Sequence, residues 1–218
     1  MARLVIFANG LLPDLESARK LIRPGDNFYA ADGGTHHAIM LGILPSVVVG
    51  DLDSLALDDR MKLDASAVVI QQYPRDKDKN DLELALDTAI QAGYSEILII
   101  GALGGRLDQT LANLSLLIEP RLSPYDIRVD DGVEEAFFTR KHCEVGGRTG
   151  DIVSLIPWGG EVTGISTKGL RWPLYDETLY PYRTRGVSNE LELAKASIIL
   201  KSGLLLVIHH RQGRLSTS

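Results

Sequence analysis

The sequence predicts a two-part fold, with an α/β domain over residues 1–124 and an all-β sandwich over residues 125–218. Up to residue 118, short apolar runs alternate with segments of helical spacing, which is the pattern of a parallel sheet covered by helices on both faces. Pro120 and Pro124 interrupt this pattern, and the apolar runs beyond them are short and separated by Gly, Pro and Asp. We therefore expect an open, mainly parallel, Rossmann-like sheet in the first domain.

The elements of the first domain are predicted in chain order from their periodicity. Strands are expected where short apolar runs end at a turn residue, and helices where apolar residues recur every three or four positions. The predicted strands are 4–8, 28–31, 47–49, 68–71 and 97–100. The predicted helices are 14–22, 35–41, 55–63, 81–92 and 107–118, and Asp14 is expected to cap the first of them.

The second half of the chain contains no segment with convincing helical spacing. Its predicted strands are 127–129, 135–139, 152–156, 161–165, 197–200 and 204–208. These runs are too few and too short for a large barrel, so a small sandwich is the better prediction.

Composition and charge narrow the classes of function. The chain has 218 residues and a formal net charge of −6, which disfavours nonspecific binding to nucleic acid, and a polyphosphate substrate would need a cation to screen it. The single cysteine, Cys143, excludes an internal disulfide and a multi-cysteine zinc site, as is typical of a reducing compartment. No signal-peptide pattern or membrane-spanning stretch is present, so we expect a soluble cytoplasmic protein with no membrane partner.

Two carboxylates at the tip of a buried strand form the first candidate site. The run from Val47 to Ser54 is apolar and then ends in Asp51 and Asp53, spaced by one residue. Because ligands bind outside the carboxyl ends of strands in open α/β sheets, these carboxylates are well placed to hold a hard cation. The same residues would also suit the N-terminus of the following helix, where Asp and Ser are common caps.

A second acidic cluster follows the fourth predicted strand. The segment Asp76-Lys77-Asp78-Lys79-Asn80-Asp81 combines carboxylates for a cation with lysines for a phosphate. A solvated turn with Asn80 or Asp81 as the helix cap is the alternative interpretation. Since magnesium takes a few carboxylates plus phosphate oxygens and waters, the position of this cluster at the same sheet end as Asp51 and Asp53 favours a shared site.

Two glycine-rich turns indicate a bound ligand at the same edge. The glycines of Asp32-Gly33-Gly34 would let the backbone approach a ligand while Asp32 accepts a hydrogen bond, although a bare turn would have the same sequence. The loop Gly101–Gln109 opens a helix, whose amides and positive end suit a phosphate, and Arg106 adds a fork of donors. Close helix packing with Asp108 as a cap explains this loop equally well.

The glycine pattern also excludes familiar nucleotide motifs. The loop Gly101–Gln109 is neither G-x-G-x-x-G nor a Walker A sequence, which disfavours a dinucleotide dehydrogenase. No Ser-His-Asp or Cys-His arrangement is legible, and the pairs His36-His37 and His209-His210 lack metal-ligand spacing, so we interpret them as structural.

Trp172 is the most informative residue of the second half. It lies in the run Lys168–Leu174, and the polar run Gly186–Glu190 follows. A Trp beside small polar residues can stack on a flat heterocycle, and its face attracts a cation. Core packing is the commoner role of a lone Trp and is the prediction for Trp158.

Taken together and in order, these motifs resemble the thiamine pyrophosphokinase family over nearly the whole chain. The matching motifs are Ala31–Gly34, Gly50–Ser54, Asp76–Asp81, Gly104–Gln109, Gly169–Leu174 and Gly186–Glu190. The resemblance implies an N-terminal domain that binds Mg-ATP and a C-terminal β-sandwich. It also implies a homodimer whose thiamine site lies between the first domain of one subunit and the second domain of the other.

The resemblance implies a role for each matching residue. The implied catalytic residues are Asp32, Asp51, Asp53, Asp78, Arg106 and Asp108, of which Asp51, Asp53 and Asp78 would be the Mg²⁺ ligands. The implied substrate-binding residues are Gly33, Gly34, Lys77, Asp81, Gly104, Gly105 and Gln109, with Trp172 stacked on thiamine and Ser188 and Asn189 near its ring.

The implied reaction transfers pyrophosphate from ATP to the hydroxyl of thiamine. Attack falls on the β-phosphorus, so catalysis is mostly positioning and charge neutralisation. The hydroxyl must lose its proton, and Asp32 or Asp108 is the expected acceptor. Two alternatives remain: a pyrophosphokinase for another hydroxymethyl heterocycle such as a pterin, and a protein that binds the nucleotide or thiamine without turnover.

Overall fold

The chain divides into two compact units. A computed structural model describes residues 2–53, 55–64 and 66–212, so Ser54 of the first acidic motif and residues 213–218 lie outside the described residues. The units are Met1–Gly132 and Val133–Ser218. This boundary lies beyond the predicted one at 124/125, because the strand Asp126–Asp130 pairs in parallel with Glu96–Ile100 of the first unit.

The first unit alternates strands with helices, as the periodicity predicts. Its strands are β1 (Leu4–Phe7), β2 (Asn27–Ala31), β3 (Val47–Gly50), β4 (Val69–Gln72), β5 (Glu96–Ile100) and β6 (Asp126–Asp130). Its helices are α1 (Leu15–Arg19), α2 (Gly34–Met40), α3 (Leu57–Asp64), α4 (Asp81–Gln91) and α5 (Leu107–Leu116), followed by a 3₁₀ turn at Pro120–Leu122. Each predicted strand and helix of residues 1–118 is therefore present, with ends shifted by a few residues.

The strands of the first unit form a parallel sheet in the order β6-β5-β1-β2-β3-β4. The chain leaves β1 toward β2 on one side and β5 toward β6 on the other, so the strand order reverses between β1 and β5. Phe7 of β1 and Ala30 of β2 pack with Ala18 of α1 and Ala38 of α2 in one buried apolar cluster. Since all strands run the same way, the loops after them meet at one edge of the sheet.

A side-chain cap defines where α1 begins. Asp14 caps α1, as predicted, by accepting hydrogen bonds from the backbone N–H groups of Glu16 and Ser17 at 2.9 and 3.1 Å. Within the described residues, no helix combines the length and the apolar character needed to cross a bilayer.

The second unit consists of two antiparallel sheets. Its strands are β7 (Glu134–Thr139), β8 (His142–Gly146), β9 (Ile152–Pro157), β10 (Val162–Lys168), β11 (Glu177–Leu179), β12 (Asn189–Glu190), β13 (Lys195–Ile199) and β14 (Leu205–His210). One sheet has the order β12-β9-β14-β7 and the other β11-β10-β13-β8. Three of these strands are not predicted from the sequence: β11 and β12 have only three and two residues, and in β8 the two buried side chains, Cys143 and Val145, alternate with polar residues and glycine.

Candidate active site

A pocket of about 370 Å³ opens at the carboxyl edge of the parallel sheet. Its walls come from residues 8–11 after β1, from Asp32 after β2, from the glycine loop after β5, and from the first residues of α4 and α5. The pocket therefore lies where the strand order reverses between β1 and β5. In open α/β sheets this reversal opens the crevice in which ligands bind.

The structure brings six of the predicted site residues into this pocket. They are Asp32, Asp81, Gly104, Gly105, Arg106 and Gln109. Asn9 and Gly10, which form the loop after β1, also line the pocket and are not predicted as site residues from the sequence. The signal was present, since Asn9-Gly10 is a turn dipeptide directly after an apolar strand, but only the pairing of β1 with β5 brings it to the glycine loop.

Gly33 and Gly34 serve packing at the start of α2. A Cβ on Gly33 would meet the side chain of Asn9 within 2.6 Å, and a Cβ on Gly34 would collide with the carbonyl oxygen of Phe7. Glycine is therefore required at these two positions because the start of α2 packs closely against β1 and the loop after it. Asp32, directly before these glycines, has a positive φ of 44° and lines the pocket.

The first acidic motif closes a turn at the end of β3. Oδ1 of Asp51 accepts a hydrogen bond from the backbone N–H of Asp53 at 3.0 Å, while α3 begins only at Leu57. Asp51 thus stabilises the turn that it belongs to and does not cap α3. The side chain of Asp53 is exposed, with Arg75 Nη1 3.9 Å from its Oδ2.

The predicted metal ligands Asp51, Asp53 and Asp78 are not assembled into a cluster. Asp78 is exposed. Across residues 2–53, 55–64 and 66–212, no three His, Cys, Asp or Glu side chains are grouped closely enough to hold a metal ion. A cation at this edge would therefore need oxygen ligands from elsewhere, and magnesium commonly takes these from phosphate and water.

The pKa of Asp81 indicates that negative charge is concentrated beside the pocket. Burial raises the pKa of Asp81, the charges of Asp32 and Asp51 raise it further, and Lys77, whose Nζ lies 2.9 Å from Asp81 Oδ1, opposes the shift. The negative charges of Asp32 and Asp51 therefore both act on the carboxylate of Asp81. A divalent cation would relieve this repulsion, and carboxylate oxygens are its preferred protein ligands, so the residues present fit a divalent cation.

Asn80 and Lys79 of the second acidic segment have partners on α4. Asn80 caps α4, since its Oδ1 accepts a hydrogen bond from the backbone N–H of Glu83 at 2.8 Å, which confirms the capping alternative for this residue. Lys79 Nζ lies 2.8 Å from Asp87 Oδ2 and 3.2 Å from Glu83 Oε1 on the same helix. Of the two lysines, Lys77 is therefore the one placed beside the pocket, through its ion pair with Asp81.

The loop after β5 combines two glycines in a left-handed conformation with the N-terminus of α5. Gly104 and Gly105 have φ values of 73° and 69°, a left-handed conformation that favours glycine. Arg106 occupies the N-cap position of α5 and forms an ion pair with Asp108. The hydrogen bond from Arg106 lowers the pKa of Asp108, and both side chains are exposed. Asp108 is not among the described residues that line the pocket.

A second pocket, of about 580 Å³, lies in the second unit. It brings together the three residues predicted there, Trp172, Ser188 and Asn189. Trp172 is 45% exposed, so it is not a core residue, whereas Trp158 is partly buried and packs edge-to-face on Phe138 with ring centroids 5.4 Å apart. Asn189 is buried and bonds to the backbone of Trp172.

Two family models match the chain in sequence order. The model described as "Thiamin pyrophosphokinase, catalytic domain" matches residues 18–144, which is more than half of the chain. The chain belongs to the thiamin pyrophosphokinase family. A second model, "Thiamin pyrophosphokinase, vitamin B1 binding domain", matches residues 140–205. The resemblance identified from the six motifs is thereby confirmed.

Individual family members show the same relationship. A thiamine pyrophosphokinase of Bacillus subtilis (strain 168) is 28% identical over 179 residues, or 81% of this chain and 84% of the relative. A crystal structure of thiamine pyrophosphokinase from Bacillus subtilis has a TM-score of 0.86 at 25% identity and covers 97% of this chain and 100% of its own. A thiamin pyrophosphokinase family protein from Enterococcus faecalis gives 0.81 at 27% identity, with 98% and 100% covered.

Proposed function

We propose that this protein is a thiamine diphosphokinase, which transfers the pyrophosphate group of ATP to the hydroxyl of thiamine and releases AMP. The observation that carries the proposal is family membership across both units of the chain. The matched segments contain Asp32 and Arg106 of the first pocket and Trp172 of the second.

We assign ATP to the pocket of the first unit. Its volume of about 370 Å³ is within the range of small-molecule sites. The first backbone N–H groups of α5 can donate to phosphate oxygens, the positive end of the helix favours negative charge, and Arg106 supplies further donors. These groups would hold the polyphosphate for attack at its β-phosphorus.

We assign the metal to the carboxylates that follow β3 and precede α4. Asp51, Asp53 and Asp78 would hold Mg²⁺ together with phosphate oxygens, and Asp81 and Asp32 carry the neighbouring charge. When bound, the ion neutralises charge on the transferred group and the leaving group. Lys77 would add a positive charge beside the same edge through its place next to Asp81.

We assign the role of general base to Asp32. Two carboxylates are candidates, but the carboxylate of Asp108 is exposed, paired with Arg106 and not among the described residues that line the first pocket. Asp32 lines the pocket in which the β-phosphorus would lie. Its carboxylate would accept the proton of the thiamine hydroxyl as the new bond to phosphorus forms.

We assign thiamine to the pocket of the second unit, where Trp172 offers a half-exposed indole and Ser188 an exposed hydroxyl. Because thiamine and ATP would bind to different units, the reaction requires the two sites to be brought together. The resemblance to the family supports a cytoplasmic homodimer in which the first unit of one subunit meets the second unit of the other.

Finer features of the fold support these assignments. Helices α1, α2 and α3 share one core cluster with the sheet. The connections that contain these helices lead from β1 toward β4, whereas those that contain α4 and α5 lead across the sheet toward β6. Because such connections are right-handed, α4 and α5 would lie on the other face of a Rossmann-like sheet. In the second unit, Val153 of one sheet and Ile198 of the other belong to a single apolar cluster, as in a sandwich.

The test is AMP formation from ATP and Mg²⁺ with thiamine, with a hydroxymethyl pterin, and without an acceptor. We expect AMP only with thiamine. AMP formation with the pterin alone would mean that the same fold acts on a different substrate. Tight binding of ATP or thiamine with no AMP under any condition would identify a binding protein and refute the proposal.

A further inference from the structure

We propose that Asn189 and the Arg171–Glu190 ion pair are positioning residues for Trp172, which hold its indole ready for a flat, cationic heterocycle. This inference rests on the proposed function, because it takes thiamine, whose thiazolium ring is positively charged, as the ligand. It gives Asn189 a role different from the ring contact that the resemblance implies.

Asn189 forms hydrogen bonds with both the N–H and the carbonyl oxygen of Trp172. The backbone N–H of Trp172 donates to Asn189 Oδ1 at 3.1 Å, and Asn189 Nδ2 donates to the carbonyl oxygen of Trp172 at 2.7 Å. Oδ1 also accepts from the backbone N–H of Glu190 at 2.9 Å, and Asn189 is only 5% exposed. Three of the hydrogen-bonding positions of this buried amide are thus used within the protein, which leaves little for a ligand.

Arg171 lies against the indole ring itself, and Glu190 holds Arg171. The guanidinium carbon of Arg171 lies 4.9 Å from the centroid of the Trp172 ring, within the range of a cation–π contact. Arg171 Nη1 donates to Glu190 Oε2 at 2.7 Å, and the backbone N–H of Arg171 donates to the carbonyl oxygen of Glu190 at 2.9 Å. Trp172 lines the pocket, whereas Arg171 is not among its described lining residues, so the pocket side of the ring remains for a ligand.

The charge of Glu190 decides whether this arrangement suits a cation. An unneutralised guanidinium against the indole would repel a thiazolium ring bound on the pocket side. With Glu190 as its partner, Arg171 can support the ring while the pair stays close to neutral. The pair thus makes cation binding by Trp172 compatible with a neighbouring arginine.

The charge argument is tested with Glu190→Gln, Arg171→Met and the double variant, with KM and kcat for thiamine as readouts. We expect Glu190→Gln to raise KM by about tenfold with kcat nearly unchanged, and added salt to reduce the effect. Adding Arg171→Met should restore most of the loss, because the unpaired cation is then gone. An equal KM in Glu190→Gln and the double variant would overturn the charge argument.

Glu144→Gln is the matched control for Glu190→Gln. It makes the same change in another exposed Glu–Lys/Arg pair of this unit, since Glu144 Oε2 lies 2.6 Å from Lys195 Nζ. We expect its kinetic constants to equal those of the wild type. A rise in KM equal to that of Glu190→Gln would mean that any lost carboxylate in this unit has the effect, and would overturn the inference.

Asn189→Asp tests the hydrogen bonds between Asn189 and the backbone of Trp172. The substitution keeps the shape of the side chain but replaces the donor to the Trp172 carbonyl with an acceptor. We expect KM for thiamine to rise by about tenfold or more with kcat retained, since the carbonyl oxygen of Trp172 loses its hydrogen-bond donor. In a Trp158→Phe background, the fluorescence of Trp172 should shift and its quenching by thiamine should weaken. Unchanged fluorescence and KM in a folded variant would contradict the role of Asn189.

Trp172→Ala separates this inference from the proposed function. If it leaves KM for thiamine unchanged, the assigned thiamine pocket fails, and the inference fails with it. If Trp172→Ala raises KM while Glu190→Gln and Asn189→Asp do not, the pocket stands and only the positioning role is refuted.

Discussion

Asp32 and Asp108 are two aspartates with different surroundings, and the difference predicts different effects on turnover. Asp32 lines the first pocket, whereas Asp108 is exposed and paired with Arg106. A positioned general base contributes about 10²–10⁴-fold to a rate, so we expect Asp32→Asn to lower kcat by about 100-fold or more and Asp108→Asn by much less. Steady-state turnover of the two variants, side by side, gives the answer. A fully active Asp32→Asn would exclude it as the base.

His37 has a partly buried imidazole whose hydrogen bond joins α2 to the loop after β1. Its Nε2 lies 2.9 Å from the carbonyl oxygen of Gly10, and because a carbonyl only accepts, this nitrogen carries the proton. Its Nδ1 is buried and has no hydrogen-bond partner among the described residues. Burial lowers the pKa of His37 below its ordinary value of 6.5, the charge of His36 adds to this, and the bond to Gly10 opposes it.

This lowered pKa predicts a pH-dependent stability. As pH falls from about 7, the unfolded chain protonates His37 before the folded protein does, so the free energy of unfolding should decrease until pH passes below the folded pKa. Urea unfolding between about pH 5 and 8 measures this. His37→Gln should flatten the dependence, and exchange of the exposed His142 for Gln should not. The same slope in the wild type and His37→Gln would contradict the assignment.

At the scale of elements, the start of α4 depends on Asn80. Its side chain supplies the one cap bond to Glu83, and helices lose about 1 kcal/mol when such a cap becomes Ala. We expect Asn80→Ala to lower the free energy of unfolding by about that amount and Asn80→Ser to keep most of it. Equilibrium denaturation measures the difference. If Ser is as destabilising as Ala, the side-chain oxygen is not what stabilises this end.

The loops after β1 and β5 lie so close together that they require a glycine. A Cβ on Gly10 would lie 2.5 Å from the carbonyl oxygen of Gly101 and 2.6 Å from that of Leu103. Gly10→Ala should therefore cost about 1–3 kcal/mol, as overpacking does, and raise the KM for ATP because both loops line the pocket. Gly160→Ala is the control, since a Cβ there meets nothing within 4 Å. Equal stability of the two variants would contradict the close contact.

At the scale of the whole molecule, the sequence predicts what depends on local periodicity. The strands and helices up to α5 follow from spacing, and Trp172, Ser188 and Asn189 follow from their motifs. The spacing of apolar residues along the chain does not show which distant strands pair. For that reason β6 was placed in the second domain, although its partner β5 belongs to the first unit, and Asn9 was missed as a pocket residue.

Side-chain competition is the second limit of sequence reasoning. Gly33 has the residue type expected for a ligand contact, yet it packs against Asn9, and Asn189 is used by the backbone of Trp172. Asp78 matches a metal motif but, among the described residues, is exposed and belongs to no preformed cluster, so its assigned role as a ligand depends on the phosphate oxygens of a bound nucleotide. A motif thus predicts the neighbourhood of a site more securely than the contact that each residue makes.

The most direct test of the account is to detect thiamine diphosphate by mass spectrometry after incubation with ATP, Mg²⁺ and thiamine, with the wild type beside Asp53→Ala. Asp53 is exposed and its one described ion pair, to Arg75, is long, so the variant should fold normally. We predict thiamine diphosphate and equimolar AMP from the wild type and at least about 100-fold less from the variant, since the metal loses a ligand. Absence of thiamine diphosphate from the folded wild type would contradict the proposed function, and full activity in Asp53→Ala would contradict the metal site.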